Sequence, residues 1–151
     1  MNTFFLSFDR GFLGFFRKIH LPLVRFAIFL PYFWFGFLKV LGTSPANLLV
    51  NELLQKTQPF ITFDQFIVSL GWYEMLIGLI FLFPGLERWA FTLLAPHLVM
   101  IAAPLMLLPA VTWQAFLVPT IEGQYIIKNI MTVALAASLA ASILPLEAKS
   151  E

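Results

Sequence analysis

Gly71-Trp72-Tyr73-Glu74-Met75-Leu76-Ile77-Gly78 sets an ionisable carboxylate inside an apolar run long enough to cross a bilayer. Such a placement is costly, and within a membrane segment an ionisable side chain marks a partner or a function. The run extends from about Phe63 to Phe83, where Pro84-Gly85 closes it with a tight turn. Between Phe66 and Phe83 eleven Leu, Ile, Val or Phe residues favour insertion. Each contributes about −0.3 to −0.6 kcal/mol, against about +2.5 to +3.5 for one central acidic residue. The segment therefore inserts with Glu74 in place.

The rest of the chain has the same character. With 60% hydrophobic residues, 11% charged residues and a mean hydropathy of +0.89, 151 residues describe one membrane domain. Without cysteine the chain offers no disulfide, thiolate metal site or CxxC relay. Its basic residues are scattered through apolar sequence, which argues against nucleic acid as a partner and for the lipid bilayer.

Outward from the central run, three further spans emerge. Leu21 to Val40 is almost wholly apolar and forms a first span, about residues 21–41, with a kink expected near Ala27 to Pro31. Tyr32, Gly36 and Lys39 share a face of it. The third span, about 88–108, starts at Glu87-Arg88-Trp89 and contains Pro96 and Pro104. The fourth, about 122–144, is rich in small residues in its second half, as close helix packing in lipid favours. The fold class is an all-α integral membrane protein, a four-transmembrane-helix bundle.

Residues 1–20 carry Phe5, Phe8, Phe12 and Phe15 at helical spacing, with Asp9, Arg10, Arg17 and Lys18 largely elsewhere around the helix. The pattern predicts an interfacial amphipathic segment, uncleaved because no small-residue cleavage site follows the long apolar run. Between spans one and two, Ser44 as N-cap and Pro45 at the first helical position predict a short outer-surface helix to about Lys56, ended by Gln58-Pro59. Pro109 to Thr120 reads as a loop with Trp113 at the interface, and residues 146–151 as a short polar tail. One side of the membrane receives Arg10, Arg17, Lys18, Arg25, Arg88 and Lys149, the other only Lys56. The excess predicts both termini in the cytoplasm.

The candidate site gathers the polar residues of the spans: Lys39, Glu74, His97 and Lys128, with Gln124, Tyr32 and Trp72. Lys39, Glu74, His97 and Lys128 fall in the outer half or near the midplane. Gln124 and Lys128 lie four apart on one helix face and would form a polar ladder inward from Glu122. On one reading Glu74 pairs with Lys39 or Lys128 and fixes helix register. On the other, the cluster lines a cavity for a polar head group or a proton, with walls from Trp34, Phe35, Trp72 and Tyr73.

Metal and cofactor chemistry finds little support. His97 with Met100 and Met106 is a poor ligand set for copper or haem, and His20 lies too far along the bundle to join it. No phosphate loop, Ser-His-Asp set or metal-spaced His/Glu motif occurs.

Gly36-Phe-Leu-Lys39 in the first span, Glu74-Met-Leu-Ile-Gly78 in the second, a proline-containing third and Lys128-Asn129 opening the fourth resemble the DoxX-like family of small bacterial membrane proteins. A related branch is linked to resistance against reactive chlorine. The resemblance covers about residues 21–145 and implies a four-helix bundle of the bacterial inner membrane. Relatives include a subunit of a thiosulfate:quinone oxidoreductase and a component of a membrane complex managing oxidative stress. It implies Lys39, Glu74 and Lys128 as a polar core; the cofactor stays open, with a quinone as the example of an apolar ligand for such a bundle. The expected role is an accessory, non-catalytic subunit that holds an oxidoreductase partner or an apolar ligand. The alternatives are a small proton- or anion-coupled transporter, working as a homo-oligomer, and a purely structural membrane subunit.

Overall fold

Apolar and small residues at four-residue steps, Val24, Ile28, Tyr32 and Gly36, followed by Lys39, form the buried stripe of the first helix, α1 (Thr3–Val40). The structure, a computed structural model, describes residues 3–143, and side chains from residue 9 onward. The side chains of Phe5 and Phe8, the end of the fourth predicted span and the tail 146–151 lie outside the described residues.

α1 runs unbroken through Pro22 and Pro31, so the predicted amphipathic segment and the first span are one helix. Its 38 residues are about 57 Å long at 1.5 Å per residue. A hydrocarbon core of roughly 30 Å cannot contain that length at ordinary helix tilts, so one end extends past it. Phe12, Phe15 and Phe16 cluster edge to face on the N-terminal part and are exposed.

A turn at Gly42 leads to the short helix α2 (Asn47–Thr57), which begins two residues later than the Pro45 start predicted. The Ser44 hydroxyl accepts the Ala46 N–H at 3.3 Å, so it caps the turn before the helix. The second long helix, α3 (Phe63–Leu82), matches its predicted bounds within a residue. Its buried residues, Ile67, Leu70, Gly71, Glu74, Met75, Ile77, Gly78 and Phe81, repeat every three and four positions. The central run is therefore an amphipathic helix on a lipid scale. The next helix, α4 (Glu87–Ala102), buries Glu87, Ala90, Leu94 and His97. Short helices α5 (Pro104–Leu107) and α6 (Pro109–Thr112) follow it.

Where a loop is predicted, β1 (Trp113–Ala115) and β2 (Val118–Pro119) pair as a small antiparallel hairpin with a bulge between Trp113 and Ala115. The last predicted span is two helices, α7 (Ile121–Lys128) and α8 (Ile130–Ala140), interrupted at Asn129. Asn129 donates its amide to Ile126 O, a three-residue step, and its side-chain amide to Tyr125 O and Ile126 O. Its side chain thus competes with the regular ladder at that point.

The fold is mostly helical, and among the described residues three stretches are long and apolar enough to cross a membrane: Asp9–Val40, Phe63–Leu82 and Glu87–Leu107. α3 runs antiparallel to α1 and packs against it most extensively; α4 packs on α3, and α8 returns along α1 and α4. The apolar core is Val24, Ile28, Tyr32, Ile77, Phe81, Ala90, Leu94, Ala136 and Leu139, contributed by all four.

Glycine brings α1 and α3 together. A Cβ on Gly36 would stand 2.6 Å from the Gly71 carbonyl oxygen, and one on Gly71 the same distance from the Gly36 oxygen. Two turns deeper, Gly78 faces the α1 backbone at Phe29 and Phe33. Backbone meets backbone here, as lipid-embedded helices need because burial from water does not drive their association.

At the opposite end of the α1–α3 pair, the Arg25 guanidinium donates to Phe81 O at 3.1 Å, near the carbonyl end of α3, and forms an ion pair with Glu87. Glu87 also accepts the Gly85 N–H at 2.8 Å, so one carboxylate fastens the Pro84-Gly85 turn and the start of α4 to α1. Both charges suit the helix ends they touch. Glu87→Gln is expected to cost about 2 kcal/mol, the range of a hydrogen bond to a charged group. Unfolding in detergent measures it, together with faster proteolysis at residues 83–86; wild-type values for both would contradict the clamp.

Candidate functional site

The Lys39 stem lies against Gly71, whose missing side chain lets α1 approach. From there its ammonium reaches the carboxylate one turn along α3, with Lys39 Nζ 2.5 Å from Glu74 Oε2. The other carboxylate oxygen, Oε1, faces α4, where His97 Nε2 lies 3.3 Å away at an angle too poor for a hydrogen bond. Glu74 thus bridges a lysine of α1 and a histidine of α4 from the helix between them. Lys39, Glu74 and His97 are 6%, 7% and 2% exposed, so the pair is sealed within the protein.

Aromatic rings close the cluster. Tyr32 and Tyr73 stand edge-on to the His97 ring at centroid distances of 5.4 and 5.7 Å. Tyr73 donates its hydroxyl to Leu93 O at 2.7 Å, tying α3 to α4 beside the histidine. Among the described residues the buried Tyr32 hydroxyl and both His97 ring nitrogens have no hydrogen-bond partner. Native interiors leave few such groups unmatched, and each is a place for a water or a polar ligand atom.

Lys39 and Glu74 balance each other's charge. A buried pair of this kind is weak as a source of net stability but expensive to break. It also fixes the relative height of α1, α3 and α4. A proton arriving at this site would meet a carboxylate and an imidazole 3.3 Å apart, so the same geometry permits local proton exchange.

Of the seven residues expected at the site, the structure brings together Lys39, Glu74, His97 and Tyr32 and leaves out Gln124, Lys128 and Trp72. Gln124 and Lys128 are exposed, and Lys128 Nζ sits 5.2 Å from the centroid of the Tyr125 ring. The inward polar ladder is absent because α7 turns Gly123 and Ile126 inward instead. Gly123 abuts the Thr112 carbonyl so closely that no side chain fits between them, and this contact sets the helix rotation. Trp72 is 58% exposed and Trp34 60%, on the outer surface rather than around a cavity. Of the alternatives for Glu74, Lys39 is the partner.

Two features escaped the sequence reading. The Arg25–Glu87 pair joins residues counted only as topology signals; an arginine inside the apolar run of the first span was its one visible sign. Tyr73 was read as a cavity wall, whereas its hydroxyl is a helix-to-helix tie. Two open grooves run between α4 and the α7–α8 pair, lined by Phe91, Leu98, Ala102, Leu105, Val133 and Ala137 among others, and are almost wholly apolar. They lie apart from the charged cluster. The described residues hold no group of three or more His, Cys, Asp or Glu side chains arranged for a metal. The chain matches no protein-family model, no curated protein and no solved structure, so the geometry of this cluster carries the functional reading.

Proposed function

We propose that this chain is a DoxX-like, four-span protein of the bacterial inner membrane with both termini in the cytoplasm, serving as an accessory subunit of a redox or oxidative-stress-defence system. The observation that carries the accessory reading is the sealed Lys39–Glu74–His97 cluster, buried on every member and bridging three helices. A cluster so enclosed suits a rigid scaffold that presents its outer surface to a partner. The redox setting comes from the resemblance carried by Gly36 to Lys39, Glu74 to Gly78 and Lys128-Asn129. The fourth crossing is α7 and α8 in series: 8 residues, Asn129 and 11 residues make 20, about 30 Å of helix.

A quinone is the apolar ligand of this reading. Its apolar tail matches the grooves along α4 and the α7–α8 pair, on the surface of the bundle and apart from the sealed cluster. One observation favours a proton-coupled transporter as a second reading: His97 and Tyr32 stand beside Glu74 with hydrogen-bonding capacity unused. Native mass spectrometry of the protein, extracted in mild detergent from its own membrane, separates the two. A co-purifying oxidoreductase subunit or a quinone mass is the expected result. A ligand-free homo-oligomer would overturn the accessory reading and bring transport forward.

A further inference from the structure

From Leu107 to Ile121 the chain carries no charged residue: Leu-Leu-Pro-Ala-Val-Thr-Trp-Gln-Ala-Phe-Leu-Val-Pro-Thr-Ile. Apart from the exposed Gln114, its polar side chains bond its own backbone or that of α5. The Thr112 hydroxyl donates to Leu108 O at 3.0 Å, the Trp113 indole N–H to Leu105 O at 3.0 Å, and the Thr120 hydroxyl to Val111 O at 2.8 Å. The Thr120 amide bonds Thr112 O at 3.0 Å, and β1 pairs with β2. What remains at the tip is apolar: Phe116 is 91% exposed, Leu117 72% and Val118 47%.

A tip made for water carries Gly, Asn, Asp or Ser. Here the left-handed turn position, φ 57°, is held by Leu117, a residue that pays a steric cost to occupy it. The exposed apolar surface of the tip is flanked by exposed Met106 on α5 and by Ile121 and Tyr125 on α7; the nearest charges, exposed Glu122 on α7 and Lys56, which donates to Leu107 O, lie at its base and not at the tip. Those flanks belong to the ends of the apolar helices, so the tip continues the surface that the helices turn to lipid. A hairpin that meets its own backbone bonds satisfies the main requirement for non-helical chain near hydrocarbon, and Trp113 at its base is a residue of the membrane interface.

We propose that this hairpin is a lipid-binding prong. Phe116 and Leu117 insert into the boundary between head groups and acyl chains, in the leaflet on the Lys39 side of the bundle. Uncharged and self-satisfied, the prong takes lipid of either head-group charge.

Because the chain has no cysteine, Phe116→Cys supplies a single thiol for a nitroxide label in the full-length protein. The labelled protein is placed in vesicles of phosphatidylethanolamine and phosphatidylglycerol. Collision with dissolved oxygen, which partitions into lipid, is then compared with collision with a water-soluble nickel chelate. The expected result is a ratio favouring oxygen, as for a reference label at Val99→Cys, a 72% exposed position near the middle of the apolar stretch Glu87–Leu107. A ratio favouring nickel would place the tip in water. Low collision with both reagents would place it against protein, a second copy or another subunit. Either outcome overturns the proposal.

Discussion

Glu74→Gln is expected to destabilise the detergent-solubilised bundle by about 3 kcal/mol or more, the cost of leaving one buried charge without its partner. The substitution keeps the side chain's size and an oxygen for Lys39, so packing contributes little to the loss. The ammonium, 6% exposed and 2.5 Å from the former carboxylate, loses the one counter-charge within contact among the described residues. Lys39→Met, which leaves the Glu74 carboxylate buried without the lysine and with His97 3.3 Å away, is likewise expected to destabilise. Replacing both members, Lys39→Met with Glu74→Leu, should recover part of the loss. Unfolding midpoints of the three variants measure the series. A wild-type midpoint for Glu74→Gln would mean that the pair does not hold the helices together.

Gly71→Ala is expected to be nearly as damaging, at about 3 kcal/mol, the upper part of the range for overpacked sites. The added carbon would stand 2.6 Å from the Gly36 carbonyl oxygen and 2.9 Å from a Val40 methyl. The first obstacle is backbone, so no rotamer change relieves it and the helices must separate. Separation also draws Lys39 away from Glu74, which couples the steric cost to the electrostatic one. Gly11→Ala supplies the contrast. Nothing lies within 4 Å of a Cβ there, and alanine in place of a helical glycine should stabilise by about 0.5–1 kcal/mol. Equal midpoints for Gly71→Ala and wild type would show that α1 and α3 do not need backbone contact.

These two sites differ in how far the sequence revealed them. Glu74 was legible because an acid in an apolar run is conspicuous whatever surrounds it. Its partner was not, because Lys39 and Lys128 lie at comparable depth and only the rotation of α7 separates them. Gly71 and Gly78 were visible as glycines flanking Glu74, yet their role depends on which helix face meets α1. The hairpin was hidden because Phe116-Leu117 lacks the Gly or Asn that announces a tight turn. The break at Asn129 was hidden because the run through it is apolar enough to read as one helix.

By itself the sequence determined the solvent and the elements: a chain for the bilayer, long helices bounded by Pro84-Gly85 and the proline-rich segment after Leu108, and a buried carboxylate in the second of them. Those properties follow from local quantities, the transfer free energy of each side chain and the backbone limits of Pro and Gly, which add up along the chain. Only the tertiary structure decided that Glu74 meets Lys39 and His97, that Arg25 fastens Glu87, and that Gln124 and Lys128 stay outside. Those pairings depend on helix rotation about the axis, and rotation is set by steric contacts between residues far apart in sequence, Gly36 on Gly71 and Gly123 on Thr112.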